Sequence, residues 1–261
     1  MTGSAISAVP LGSIHDTHVG ENGVGIAHAH NVTDSTVAGE LRCKVDGGGN
    51  NKSCNTSYSD PEPIAMPVTA EQIDEWQAEA SVGNPIIGDY TPAAGASLGP
   101  KRITGNLIIN NSITITGTVW VEGVLSYGTK GEVKLASDVY GANSGVIMVD
   151  KYTTFSGGSQ IKSTGVPGSF VMLLVTSDCP ASSFCSDNKA ISASGNAGSV
   201  VLAAPYGTID FTGNSSAKEV IANKVILGGN TEINYELGLA NMNFVSGPAG
   251  GYHTISFMET E

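Results

Sequence analysis

The sequence predicts an all-β chain: a parallel, right-handed β-helix with one lateral α-helix at about residues 69–82. Three observations carry that expectation. From residue 86 onward the chain reads as short strands of about three to six residues separated by Gly or Asn corners, with no stretch left over for a helix. The stronger apolar runs begin near Val119, Val146, Val171, Val200 and Val220. Those starts recur roughly every 20–29 residues, the length of one coil of a three-strand solenoid. Two-residue hairpin signals such as Asn-Gly between alternating strands do not punctuate the series, so hairpins stacked into a sandwich fit less well.

The stretch SVVLAAPYGTIDFTGN, residues 199–214, shows the pattern in miniature. Val200 to Ala204 form an apolar strand, Pro205 and Gly207 break it, and Ile209-Asp210-Phe211 resume with alternation before Gly213-Asn214 break it again. One coil wall turning a corner at Pro205–Gly207 explains this rhythm. A coil cannot bury its inner face alone, so successive coils stack as parallel strands. That stacking places Val171, Leu173, Val201, Ala203, Ile221, Val225 and Leu227 inside.

The helix has its own start signal. Thr69 is an N-cap residue and Gln72 completes a capping box. Glu71 falls in the first turn, where the helix dipole favours a carboxylate. Ile73, Trp76, Gln77 and Ala80 share one narrow face, and Gly83 is a left-handed terminator. A narrow apolar face suits a helix lying on the side of something larger. Residues 1–24 have no clear period and read as a tail or edge segment, which leaves 25–261 as a single solenoid domain that includes the helix.

Composition narrows the function. The chain has 34 glycines, 14% charged residues and a formal net charge of −12. Arg42 and Arg102 are its two arginines, and no basic run exists, so a nucleic-acid partner is excluded. No apolar segment approaches the roughly 20 residues of a membrane span. Cys43 and Cys54 flank a Gly/Asn loop, and Cys179 and Cys185 flank PASSF. Four cysteines permit three connectivities. Close pairs around short polar loops favour the local one and an oxidising, extracellular or cell-surface compartment. Four free thiols or a zinc site are the alternatives, and neither spacing is the CxxC of a zinc ligand pair.

The C-terminal half carries a resemblance. Ala203-Ala204-Pro205, Thr212-Gly213-Asn214, Gly229-Asn230 and Ile233-Asn234-Tyr235-Glu236 recur in the order seen in bacterial type IV pilus assembly, PilX-like proteins. The Cys-flanked loop, MPVTAEQIDEWQAEA, LGPKRITGNLIINNSITITGTVWVEG and FVSGPAGGYHTISF resemble related surface proteins of uncultured bacteria. The resemblance spans roughly residues 25–258. It implies a solenoid and a pilus or cell-surface setting, with pilus subunits, surface components or glycans as partners. It implies no catalytic residues and no cofactor.

The chemistry-bearing residues are few. His28 and His30, two apart, would face one side of a strand, with Asp34 or Glu40 available as a third metal ligand. The other reading is a pair of solvent-facing histidines on an edge strand. His15 and His18 stand three apart, and His253 is isolated. Asp138, Asp150, Asp178, Asp187 and Asp210 are candidate acids for polysaccharide chemistry on a solenoid face. Asp150 and Asp178 both end apolar strands and could stack at one corner; solvated turn formers are the alternative. Trp120, inside TVWVEG, either stacks on a sugar or packs under the helix. Thr114 and Thr116 give one TxT, with no recurrence at coil spacing to build an ice-binding row. The motifs of serine hydrolases, zinc proteases, nucleotide-binding loops and EF-hands are absent from the sequence. The expectation is a non-enzymatic structural or adhesive module, with a carbohydrate-active enzyme or glycan-binding module as the alternative.

Overall fold

The computed structural model describes residues 4–8, 10–62, 67–155, 158–179, 185, 188–194, 200–228 and 231–233. By its contacts the chain forms two compact units, Met1–Met66 and Pro67–Glu261. The one-solenoid expectation from residue 25 onward therefore gives way to a boundary near residue 66. The long Gly/Asn loop and the DPEP run that precede it are the local signals that mark it.

The second unit is a parallel β-helix with three walls. The first wall stacks Lys101–Ile103, Val119–Val121, Gly145–Val149, Val171–Val175 and the start of Val200–Phe211. The second stacks Leu107–Ile109, Leu125–Tyr127, Thr153–Phe155, Ile191–Ala193 and the end of Val200–Phe211. The third stacks Ser97–Leu98, Ser112–Ile115, Glu132–Leu135 and Gln160–Lys162. Every strand pair in these walls is parallel.

Register sets the coil length. Lys101 pairs with Val119, Val119 with Ile147, Ile147 with Leu173, Leu173 with Leu202 and Leu202 with Val220. Successive partners are thus 18, 28, 26, 29 and 18 residues apart, so the longest coil exceeds the shortest by 11 residues. The strand Val200–Phe211 passes through the Pro205–Gly207 corner without a break, and its pairing with Glu219–Leu227 shifts register between Ala204 and Thr208. The corner is therefore a bulge within a continuous strand, a device that turns the chain and re-aims the side chain at its tip.

The inward columns make the core. Val119, Ile147, Leu173 and Leu202 lie one above another, fully buried, and face Leu125, Ile191, Ile209, Ile113 and Val133 from the other walls. Thr153 takes one place in the second wall's column, and its hydroxyl donates to the Leu125 carbonyl at 2.9 Å. A buried hydroxyl is tolerated there because its hydrogen bond is made.

The corners demand small residues. A Cβ on Gly123 would stand 2.4 Å from the Gly105 carbonyl oxygen, and one on Gly105 would stand 2.3 Å from the Gly88 carbonyl carbon. Backbone stacks on backbone at this edge, and the adjoining Asn106 side chain accepts from the Val124 N–H at 2.8 Å.

The helix spans Ala70–Ala80, close to the expected 69–82. The capping box is formed: Thr69 Oγ1 accepts from the Gln72 N–H and Gln72 Oε1 accepts from the Thr69 N–H. The helix packs on the outer face of the first wall at Lys101–Ile103 and Val119–Val121, and Ile73, Trp76 and Ala80 belong to one apolar cluster with Val146, Met148, Phe170, Met172, Leu174, Val201, Ala203 and Ile221. This corrects part of the expected interior. Val171 and Leu173 point into the coil, but Val201, Ala203 and Ile221 belong to the apolar cluster on the outer face. Leu227 is half-buried against the core, and Val225, paired with Ile209, remains 40% exposed. A second, four-residue helix, Ser137–Tyr140, was not expected; it buries Tyr140.

The first unit is a smaller parallel stack. Ala27–Thr33 pairs with Ala5–Ile6 and Ser13–His15 along one edge and with Leu41–Asp46 along the other. His18–Val19 pairs with Thr36–Val37. Residues 5–19, expected as a tail or edge, thus supply a full layer, and Ile14, Val19, Ala27, Ala29, Val32, Val37, Leu41 and Cys43 form its core. Cys43–Cys54 is bridged here and Cys179–Cys185 in the second unit, as the local pairing requires. Each closes a short loop, worth about 2–3 kcal/mol through restriction of the unfolded chain.

Leu173→Ala removes a side chain from the middle of a fully buried column, and should lower unfolding free energy by about 2–5 kcal/mol in a denaturant titration. Ile87→Ala, at a 76% exposed position, should stay within about 0.5 kcal/mol in the same assay. Gly123→Ala should destabilise by at least as much as Leu173→Ala despite adding one methyl group, because its new carbon meets backbone that cannot yield; a thermal midpoint equal to that of the parent chain would contradict the stacked-corner geometry.

Candidate functional site

Alternation along the first wall fixes which residues meet outside it. Arg102, Trp120, Met148, Leu174, Ala203 and Ile221 are successive register partners on the outer face. Met148, Leu174, Ala203 and Ile221 belong to the apolar cluster on that outer face. At the end where the helix packs, beside Lys101–Ile103 and Val119–Val121, the Arg102 guanidinium lies over the Trp120 ring, 4.7 Å from its centroid. Two residues further along each strand the same face presents Glu122, Asp150 and Thr176 at the corner.

These groups satisfy one another. Arg102 Nε donates to Glu122 Oε1 at 2.5 Å, and the two side chains form an ion pair. The Trp120 indole N–H donates to Asp150 Oδ2 at 2.9 Å, and the Thr176 hydroxyl donates to Asp150 Oδ1 at 3.1 Å. Burial pushes the Asp150 carboxyl above its ordinary value; the Trp120 and Thr176 hydrogen bonds pull it back, Glu122's charge pushes up and Arg102 pulls down. A raised carboxyl one coil from a second acid has the composition of a glycosidase pair. Here both Asp150 oxygens are taken by the fold, and Glu122 is taken by Arg102.

Trp120 is half-buried, with its polar edge bonded and one ring face under a guanidinium. The other acids do not converge on Asp150. Asp138 is exposed in the short helix, and Asp210 is buried in an ion pair with Lys189 at 2.6 Å. Asp178 is exposed at the next corner position but lines a separate depression. Asp187 and His253 lie outside the described residues, as do Gly229, Asn230 and residues 234–236 of the resemblance.

The histidine pair sits in the first unit. His28 and His30 do share one face of Ala27–Thr33, alternating with buried Ala27 and Ala29. Their rings are used locally. His28 Nε2 is 2.9 Å from the Ser59 carbonyl, and His30 Nδ1 is 2.8 Å from Asp60 Oδ2. Glu40 is held by Arg42, whose guanidinium also covers the Tyr58 ring at 4.2 Å. Asp34 approaches His15 instead, at 3.6 Å. The pair thus straps the segment 58–60 onto the sheet. Among the described residues no group of three His, Cys, Asp or Glu side chains is arranged to hold a metal ion.

The depression is lined by Thr176, Ser177, Asp178, Pro205, Tyr206 and Asn223, with a volume of about 510 Å³. Three successive coils contribute to it. Gly207 makes it possible: a Cβ there would stand 2.7 Å from the Ser177 carbonyl oxygen and 2.6 Å from the Ala190 Cβ. Sequence reasoning found Asp178 but missed Tyr206 and Asn223. The available signal was coil spacing applied to the tight PYG corner.

No protein-family model matches this chain, and no curated protein or solved structure matches it either. Among the described residues no helix is long and apolar enough to cross a membrane.

The Asp150 arrangement has a pH signature. A carboxyl raised in the folded state binds its proton more tightly folded than unfolded. Its contribution is most favourable below the ordinary value of 3.8 and declines as pH rises through the raised folded value. In a Trp76→Phe background, Trp120 emission should titrate with a midpoint above 3.8, and Asp150→Asn should abolish that transition. Asp150→Asn should also gain stability relative to the parent as pH rises through the same window; a midpoint below 3.8 would contradict the buried geometry.

Proposed function

We propose that this chain is an extracellular, cell-surface or pilus-associated structural and adhesive module without catalytic activity. The observation that supports it most is the self-satisfied corner: the buried carboxyl, its neighbouring acid and the wall's indole are bonded to one another rather than aimed at a shared cleft. Two disulfides favour an oxidising compartment. The resemblance of the C-terminal half to pilus assembly proteins supports the same setting, with pilus subunits, surface components or glycans as partners. A parallel β-helix with one wall covered by a helix is a stiff spacer suited to display.

A carbohydrate-active enzyme is the second reading, favoured by one observation, the raised Asp150 carboxyl beside Glu122. Turnover assays separate the two. Purified chain should release no reducing sugar from xylan or chitin, and no unsaturated uronate from pectin or alginate. It should nevertheless adhere to intact bacterial or host cells when fluorescently labelled. Turnover abolished by Asp150→Asn or Asp178→Asn would overturn the structural reading.

A further inference from the structure

We propose that the depression at the Thr176–Asp178, Pro205–Tyr206 and Asn223 corner is a binding site for a neutral glycan. The proposal rests on the reading of the chain as an adhesive module, and gives that module a ligand class. Its starting point is a contrast. Elsewhere on the first wall the outward polar groups are paired: Arg102 with Glu122, Trp120 and Thr176 with Asp150. At this corner the side chains of Asp178, Tyr206 and Asn223 have no protein partner among the described residues, although all three face one concavity.

The chemistry of the lining selects the ligand. Tyr206 is 49% exposed at a bulge, so an aromatic ring is held in water with its phenol free. An amphipathic ring in that position suits the apolar C–H face of a pyranose. Asp178 supplies acceptors only, while Asn223 supplies both donor and acceptor. Adjacent hydroxyls of a sugar are matched by such a carboxylate and amide pair. A uronate or sialate is disfavoured, because Asp178 and the −12 net charge repel an anion. The volume, about 510 Å³, falls in the range of small-ligand sites.

The site is also pre-organised. Asp178 is held between the end of Val171–Val175 and Cys179, which is buried and bridged to Cys185. The Cys179 N–H donates to Ser177 Oγ at 3.0 Å, and Thr176 is anchored on Asp150. Tyr206 follows the buried Pro205 and precedes Gly207, which is packed beneath Ser177. Fixing these groups before binding lowers the ordering cost that exposed side chains otherwise bring to a weak ligand.

Affinity gel electrophoresis with galactomannan, lichenan and alginate tests the site. The parent chain should be retarded by galactomannan or lichenan and not by alginate. Tyr206→Ala should weaken that retardation at least tenfold, Tyr206→Phe should keep most of it, and Asp178→Asn and Asn223→Ala should each weaken it. Lys134→Ala, on another wall, should leave it unchanged. Circular dichroism of each variant checks that the exposed substitutions leave the fold intact. No retardation by either neutral glycan, retardation by alginate alone, or retardation that survives Tyr206→Ala would overturn the site. Cell adhesion that persists without any glycan retardation would leave the surface-module reading standing while removing this one. Glycan retardation without cell adhesion would support the site and count against the surface module.

Discussion

In-register stacking of like residues from coil to coil is the constraint on which the second unit depends. Each coil is too thin to enclose a core, so each inward residue is buried only by its partners above and below. The column Val119, Ile147, Leu173, Leu202 shows the consequence. Its members are all large and apolar, and no position in it tolerates a gap without exposing its neighbours. The same rule governs polar groups. Thr153 can occupy an inward place because the carbonyl it needs lies in the adjacent coil. At the corners the rule becomes steric, and Gly88, Gly105 and Gly123 stack because backbone there meets backbone.

The lateral helix changes what the outer face can be. An uncovered solenoid wall alternates apolar and polar residues, whereas a wall covered on both sides is apolar throughout. Gly145–Val149 and Val171–Val175 are buried at every position, and their outward residues lie in the apolar cluster that also holds Ile73, Trp76 and Ala80. The helix packs at the Lys101–Ile103 and Val119–Val121 end of the wall. One column changes character along its length: Met148, Leu174 and Ala203 join the helix's apolar residues in a single outer cluster, while Arg102 and Trp120 stack a cation over a ring. The Asp150 carboxyl is bonded to the edge of that ring. It is sheltered enough to favour its proton, and near enough to Trp120 and Thr176 to have both oxygens bonded.

The helix, the parallel walls and both disulfides were legible in the sequence because each rests on local chemistry. The Thr69–Gln72 capping box, the recurring apolar runs and the closely spaced cysteines carry their meaning within a few residues. The facing of Val201 and Ala203 was not legible. Continuous apolar runs have no phase, so alternation cannot say which side is inside. The first layer of the Met1–Met66 unit was hidden by strands of two or three residues, too short to show a period. His28 and His30 were placed on one face correctly, but their partners Ser59 and Asp60 arrive from about 30 residues away, through a loop whose path no local pattern reveals. Tyr206 and Asn223 were missed for the same reason: what they line exists only once three coils are in register.

Unequal coils explain why an unpaired group of polar side chains sits where it does. A solenoid of uniform coils would present a flush corner, with each polar residue beside its equivalent in the next coil. Here Leu173 to Leu202 is the longest step, 29 residues, and Leu202 to Val220 is one of the shortest, 18. The long coil spends its extra residues between the first and second walls, where the Cys179–Cys185 bridge closes a loop. The next coil crosses the same gap in the tight Pro205–Gly207 bulge. A wide corner above a narrow one leaves a ledge, and side chains on its two lips face a common space without being able to reach one another. At the Asp150 corner the chain crosses from the first wall to the second in three residues in two successive coils, 122–124 and 150–152, and the polar groups there close on themselves. The length of the crossing, more than the length of the whole coil, thus decides whether a corner's polar side chains are spent on the fold or remain available to a ligand.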